Sequence, residues 1–279
     1  MSNTHRKKHL LGKVLSLAFL IPLSMVFLFP FIWMIFTSFK PEFDIMGHPD
    51  WLLPRNWTVD QYIKLMTSIP FPRFLCNSIV FAGGVTSISL CLDCLAGYSF
   101  AKLRFKGSNI LFLFVLATMM VPFQVTMIPL YLLLFKIKGL DSFWGMIAPR
   151  MTNAFGIYML RQFFVTLPES LMDAGRMDGL SEFGIFRKIA LPLTKMTVVT
   201  LAIFHFMYNW NDFLWPLIVT SSLEMRTLPV GLALFIGEHV QEHGPVIAGS
   251  VLSIIPILIF YLFAQKTFIQ GISLTGLKG

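Results

Sequence analysis

Charge is what this chain has least of. Asp, Glu, Lys and Arg make up 13% of its 279 residues, about half the share found in soluble domains. With 56% apolar residues and a mean hydropathy of +0.72, that scarcity excludes a water-soluble globular chain and points to an integral membrane protein. Low-complexity tails and linkers are absent too. Cysteine is limited to Cys76, Cys91 and Cys94, all in one apolar segment. The C-x-x-C spacing of Cys91 and Cys94 has no second pair to complete a metal site. It reads as small polarizable side chains filling helix contacts. No G-x-x-x-x-G-K-[ST] pattern occurs, so the chain has no phosphate cradle of its own and any nucleotide site would sit on another subunit.

What is present is a series of long apolar runs. A helical span needs about 20 such residues. Val14–Phe39, Phe74–Leu92, Gly107–Phe135 and Gly244–Gln265 carry no charge; Ser142–Leu160 is broken only by Arg150, and Met196–Leu223 only by Asp212. The expected fold is an all-α integral membrane protein, a single transmembrane domain over 1–279. Six transmembrane helices are expected at about 14–39, 74–97, 108–134, 142–162, 196–220 and 244–266. The first run is too long for a signal-peptide core and no A-x-A site follows it, so it is expected to be retained. With both ends cytoplasmic, the inner segments hold Arg6, Lys7, Lys8, Lys13, Lys102, Arg104, Lys106, Arg161, Arg176, Arg187, Lys188, Lys195, Lys266 and Lys278. The outer ones hold only Lys40, Arg55, Lys64, Arg73, Lys136, Lys138 and Arg226. This bias selects the inside–inside topology. It also accounts for the net charge of +8 without a nucleic-acid partner, since no basic stripe lies on a soluble domain.

One stretch breaks the pattern. Residues 173–192 read DAGRMDGLSEFGIFRKIALP, with charges at Asp173, Arg176, Asp178, Glu182, Arg187 and Lys188. Thr166-Leu-Pro-Glu169 has capping-box spacing, so a helix is expected to begin there with Pro168 in its first turn. Leu171, Ala174, Gly175 and Met177 fall near one face, and Gly179 is expected to end the helix. Ser181 is expected to cap a second helix, with Phe183, Phe186 and Ile189 at three-residue spacing, stopping near Ala190 ahead of Pro192. The result is a pair of short amphipathic helices on the cytoplasmic side. Their apolar faces are equally suited to the membrane surface, to the protein's own spans or to a docked partner.

This stretch resembles the EAA loop of the membrane subunits of bacterial ABC importers. Asp173-Ala174-Gly175, Gly179 and Ile189-Ala190-Leu191-Pro192 match its spacing, with Asp for the usual Glu and Gly175 for the second Ala. The resemblance extends over nearly the whole chain. Met120-Val-Pro-Phe-Gln124, Ile128-Pro-Leu-Tyr131, Leu160-Arg-Gln-Phe-Phe164, Trp210-Asn211-Asp212-Phe-Leu-Trp215-Pro216, Thr227-Leu-Pro-Val-Gly231 and Gly276-Leu-Lys-Gly279 are similar to the carbohydrate-type, maltose-like permeases. The resemblance implies a pore-forming subunit of the bacterial inner membrane that moves a sugar or oligosaccharide delivered by an external binding protein. It implies as partners a second permease subunit, two ATPase subunits and membrane lipid. It also implies that ATP and Mg sit on those ATPase subunits, that this chain binds no cofactor or metal, and that it has no catalytic residue. The loop 166–192 would then couple the pore to ATP hydrolysis through Glu169, Asp173, Ala174, Gly175, Asp178, Gly179, Phe183, Ile189, Leu191 and Pro192. The tail Thr275, Gly276, Leu277, Lys278 and Gly279 would be a second contact with the ATPase. A phosphorylated solute such as glycerol phosphate is the alternative cargo. A secondary transporter is less favoured, because no internal repeat or ion relay is evident.

Three ionisable groups fall within the spans, where each costs roughly 3 kcal/mol or more near mid-bilayer. Asp93 lies toward the cytoplasmic end of the second span and reads as a structural contact. Arg150 is equally compatible with lining the pathway and with pairing to Asp212 or Asp93. Asn209, Asn211 and Asp212 offer amides and a carboxylate that suit sugar hydroxyls, or hydrogen bonding between helices. His239-Val-Gln-Glu242-His243 matches the H-x-x-E-H zinc pattern, but no Asp, Glu, His or Cys follows it to supply a third ligand. The outer segment Lys40–Arg73, with Trp51 and Trp57, reads as an interfacial connector that suits lipid anchoring or the binding protein.

The topology is tested by thiol labelling of intact cells. Arg55→Cys is expected to react with an impermeant maleimide and Asp178→Cys only after permeabilisation; the reverse pattern would invert the membrane orientation.

Overall fold

The computed structural model describes the backbone of residues 2–236 and 242–275. It is helical throughout, in chain order α1 (Ser2–Thr37), α2 (Glu42–Gly47), α3 (Asp60–Ser68), α4 (Phe71–Lys102), α5 (Ser108–Thr118), α6 (Phe123–Lys136), α7 (Phe143–Ile147) and α8 (Ala154–Thr166). There follow α9 (Glu169–Met177), α10 (Glu182–Ile185), α11 (Leu191–Leu193), α12 (Lys195–Trp210), α13 (Leu214–Val219), α14 (Leu228–Leu232) and α15 (His243–Thr275). Among the described residues three helices are long and apolar enough to cross a bilayer: Ser16–Thr37, Phe71–Lys102 and His243–Leu262. Counting each of two bent pairs, α5 with α6 (96°) and Glu182–Leu193 with Lys195–Trp210 (79°), as one span raises the number to five.

The remaining expected spans are interrupted, and each interruption has a local cause. In the third, α5 and α6 meet at 96° just before Pro122, whose ring disfavours helix at the preceding residue and removes an N–H. The fourth, expected as one run over 142–162, is instead α7, a 3₁₀ turn over Ala148–Arg150 containing Pro149, a break, and α8. Asn153 ends the break by capping α8, its side-chain oxygen accepting from the Phe155 N–H at 2.9 Å. In the fifth, the chain leaves the helix at Asn211–Phe213 between α12 and α13. Such breaks survive at membrane depth only where the freed polar groups are buried in protein or line a cavity.

The chain forms two compact units, Pro70–Gly231 with Ile254–Gly279, and Met1–Ile69 with Leu232–Ser253. In the first, α4 packs on both α8 and α12. The α4–α8 contact is close because it uses glycine on both sides. A Cβ on Gly97 would lie 2.9 Å from the Leu160 Cβ, and one on Gly156 would overlap the Asp93 carboxylate. Lipid tails are as apolar as leucine, so such close van der Waals contact and interhelical hydrogen bonds must hold helices together. Asp93, fully buried, supplies the bonds: its carboxylate accepts from Thr152 Oγ1 at 2.9 Å, the Asn153 N–H at 3.0 Å and Ser89 Oγ at 3.1 Å, with His205 Nε2 3.5 Å away. This is the structural contact that the sequence suggests for Asp93. Cys94 is buried beside it and Cys91 exposed.

In the other unit, Lys40 is buried and donates to the Trp51 carbonyl, while Gln61 donates to the Lys40 carbonyl at 3.1 Å. Burial pushes the Lys40 ammonium below its usual value, against the pull of Asp44 and Asp50. Glu42 accepts from the first N–H groups of α15, His243 and Gly244, at 2.7 and 2.8 Å, an anionic cap at a helix N-terminus. Trp51 lies between the His48 ring (3.8 Å) and the Arg55 guanidinium (3.6 Å). Of the zinc-like triplet, His239 is outside the described residues and Glu242 pairs with Lys64 at 2.7 Å.

Gly97→Leu is expected to lower the thermal unfolding midpoint in detergent by several degrees, in line with an overpacking cost of about 1–3 kcal/mol. An unchanged midpoint would mean that α4 and α8 do not approach this closely.

Candidate functional site: an amphipathic helix pair and a broken-helix cavity

The helix pair forms with a different inner face from the one expected. Met172 and Gly175 of α9 are buried, whereas Leu171 (41%) and Met177 (88%) are exposed, as is Ala174. Met172, Ile185, Phe186 and Ala190 pack on Tyr98, Leu160, Phe164 and Leu201 of the spans. Gly175 permits this: a Cβ there would lie 2.7 Å from Ile189 Cδ1. Ile189 and Leu191 are half-buried against the same core. Thr166 does not cap α9. Its hydroxyl donates back to Phe163 within α8 at 2.7 Å, and Pro168 takes the cap position without a side-chain bond. Gly179 adopts φ +77° with open space around it, and Ser181 caps α10 by accepting from the Gly184 N–H at 3.2 Å. The second helix does not stop near Ala190. It widens to a π-turn over Phe186–Ala190, closed by the Leu191 N–H donating to the Phe186 carbonyl, and continues to Leu193 with Pro192 in a first turn, where its missing N–H is not needed.

The outward surface combines charge with bare apolar side chains. Arg176 reaches Asp173 at 2.7 Å, Glu182 at 2.8 Å and Glu169 at 3.7 Å. Hydrogen bonds first to Glu182 and then to Asp173 hold its guanidinium above its usual pKa. Lys102, buried at the end of α4, donates to the Leu167 carbonyl at 2.7 Å and to Glu169 at 3.2 Å. Asp178 and Pro192 are exposed, and Phe183 is 63% exposed. Lys102, Arg176 and Glu182 were missed in the sequence. The i,i+3 pair Asp173–Arg176 was legible, but the Lys102 partnership, 67 residues apart, had no local signal. The side chains of Thr275, Gly276, Leu277, Lys278 and Gly279 lie outside the described residues.

The in-span candidates divide. Arg150 pairs with Asp212, both side chains nearly buried, and lies 4.3 Å over the Phe123 ring. Of the open alternatives, pairing to Asp212 is the one realised. It bridges the break before α8 and the break after α12. Asn209 is buried, its amide donating to the His205 carbonyl at 2.8 Å, with its own oxygen unpartnered. Asn211 is exposed. A cavity of about 800 Å³ opens beside α12, lined by Asn153, His205, Tyr208, Asn211 and Asp212 with several apolar side chains. It includes neither Arg150 nor Asn209.

A family model described as "Binding-protein-dependent transport system inner membrane component" matches residues 94–270. The chain is 38% identical over 265 residues to the arabinooligosaccharides transport system permease protein AraQ of Bacillus subtilis (strain 168), covering 94% of each. It is 32% identical over 279 residues to the trehalose/maltose transport system permease protein MalG of Thermococcus litoralis, covering 98% of this chain and 99% of that one. In fold it is similar to a chain of a bacterial ABC transporter involved in import of the acidic polysaccharide alginate, with TM-score 0.80, 24% identity, and coverage of 94% and 98%.

Breaking one side of the buried ion pair leaves the other charge uncompensated, a loss of about 3–5 kcal/mol. Arg150→Met and Asp212→Asn are each expected to destabilise the chain strongly, and the double variant less than the sum of the two, read as thermal midpoints in detergent. Additive losses would mean the two charges are not coupled.

Proposed function

Given that the chain belongs to the family of binding-protein-dependent transport system inner membrane components, we propose that it forms one half of a sugar-conducting pore and is driven through residues 166–192. It is an inner-membrane permease of a binding-protein-dependent ABC importer, a transport component and not a catalytic one. In the proposed cycle an external binding protein delivers an oligosaccharide, and the pore lies between this chain and a second permease. ATP and Mg, held on two partner ATPase subunits, close the ATPase dimer. Closure draws on the helix pair and turns the pore outward, and hydrolysis reverses the motion. The proposed topology has six crossings with both ends cytoplasmic, the third, fourth and fifth formed by broken helices.

The observation that carries the coupling role is the surface of the helix pair. One face is spent on the spans, yet Leu171, Met177 and Phe183 stand bare beside a network of charges. A cytoplasmic surface of this kind is suited to burial in a partner's cleft. Through Met172, Ile185 and Lys102 the same pair is fixed to α4, α8 and α12, so a pull on it is transmitted to the pore-side helices. Glu169, Asp173, Ala174, Asp178, Gly179, Phe183 and Pro192 belong to the outward surface; Gly175, Ile189 and Leu191 belong to the hinge against the spans. The tail from Thr275 is proposed as a second ATPase contact on the strength of the resemblance. A sugar cargo is favoured by the names of AraQ and MalG, which match over more than nine-tenths of the chain. A phosphorylated cargo is disfavoured because Arg150 is already neutralised by Asp212.

Phe183→Asp is expected to leave membrane insertion intact but to strip the ATPase from the purified complex, lowering co-purified ATPase at least tenfold, about 1.4 kcal/mol or more of docking energy. Full ATPase recovery with normal uptake would remove the coupling role from this surface.

A further inference from the structure

We propose that Arg150 is a positioning residue for transport: its ion pair with Asp212 is a latch that holds the three interrupted spans together and separates when the helix pair is pulled. The proposal rests on the transport reading above. Three breaks converge on this guanidinium. Arg150 itself ends the 3₁₀ turn before α8. Asp212 lies in the break after α12. Phe123, whose ring centre is 4.3 Å from the guanidinium, follows Pro122 at the break before α6. The Tyr208 ring, in the last turn of α12, is 5.5 Å away. Trp215 of α13, fully buried, closes the group. Its backbone N–H donates to Asp212 Oδ1 at 3.3 Å and its indole N–H to the Met146 carbonyl of α7 at 3.0 Å, while its ring meets Phe123 edge-on at 5.5 Å. One pair of charges thus ties α6, α7 and α13 to the end of α12.

The two buried charge centres of this unit are satisfied to different degrees. Asp93 accepts three hydrogen bonds, from Ser89, Thr152 and Asn153. Arg150 has the Asp212 carboxylate and two ring faces, but its Nε is buried without a hydrogen-bond partner. The attraction within a buried pair offsets its desolvation only when the remaining donors are satisfied, so this pair is the one that yields first. It also has somewhere to go. Asp212 lines the cavity beside α12, where the carboxylate can turn toward water once it leaves Arg150. The pull has a rigid path. α12 runs unbroken from Lys195 to Trp210, and its Leu201 packs in the same core as Met172 and Ile185 of the helix pair. Displacement of that pair therefore arrives two residues before Asp212. Packed elements of this kind switch between discrete arrangements rather than deform continuously, and the latch sets the balance between the two.

The test uses the assembled importer, with its second permease, ATPases and binding protein. The first measurement needs no substitution. Amide exchange over Asn211–Trp215 in the wild-type complex is compared between the nucleotide-free and the vanadate-trapped states. It is expected to rise at least tenfold on trapping, with the Asn153 amide held by Asp93 unchanged. Unchanged exchange over Asn211–Trp215 overturns the latch, and so does an equal rise at Asn153, which is general loosening. The second measurement is coupling in proteoliposomes. The double variant Arg150→Met with Asp212→Asn leaves no uncompensated charge. It is expected to raise ATP hydrolysis in the absence of binding protein about tenfold and to lower sugar imported per ATP about tenfold, whereas Arg150→Lys, which keeps the charge, retains both values. A double variant with wild-type coupling confines the pair to a structural role and overturns the latch while leaving the transport reading intact. A wild-type complex whose hydrolysis is not stimulated by its binding protein carrying an arabino-oligosaccharide overturns the transport reading, and the latch with it.

Discussion

A buried carboxylate holds the larger unit together. Asp93 sits in α4, yet its hydrogen bonds reach Thr152 and Asn153 at the start of α8, and His205 of α12 lies beside it. Within a bilayer there is no hydrophobic drive to bring one apolar helix to another, so a polar group that must be satisfied becomes a register pin. Only one alignment of the three helices places the Asn153 N–H and the Thr152 hydroxyl on this carboxylate. Gly156, one turn into α8, leaves the space that the carboxylate occupies. The position of the break before α8, and with it that of Arg150 and Asn153, follows from this alignment.

From that pin α4 runs on to Lys102, whose ammonium is buried against the Leu167 carbonyl and Glu169. One helix therefore connects the buried polar cluster to the base of the helix pair. The pair is fixed on its inner side by tight apolar contact and on its outer side only by exposed ion pairs, which contribute little each. Its strongest attachments are thus to the spans. The links to α4, α8 and α12 are the ones that resist rearrangement.

The two ends of the larger unit treat charge in opposite ways. On the helix pair Arg176 is shared among three carboxylates at the exposed surface. In the spans Arg150 and Asp212 neutralise each other, and Arg150 adds the face of Phe123. The second arrangement uses an ion pair to close two backbone breaks, which lets the cavity beside them carry amides and aromatic rings in place of free charge.

Class, membrane location, charge bias and the glycine-hinged helix pair were all written in local pattern. Scarce charge, run lengths, Lys and Arg placement, Ser181 and Gly179 each act through their immediate neighbours, so order along the chain was enough to read them. The cap of α9 and the end of the second helix differ from the local reading where a local rule met a tertiary one. Thr166 had capping spacing but was absorbed by α8, and Pro192 signalled a stop but sits in a first turn that follows the π-turn over Phe186–Ala190. Which face of α9 turns inward was decided by Met172 and Gly175 fitting the core, a matter of shape that periodicity does not carry. Pairing of Arg150 with Asp212, of Lys102 with Glu169, and of Asp93 with the start of α8 joins residues roughly 60 positions apart. Sequence by itself determined that these groups needed partners. Only the tertiary structure decided which partners, because in a low-dielectric interior the cost of an unpaired group is certain and the identity of its neighbour is set by how the helices pack.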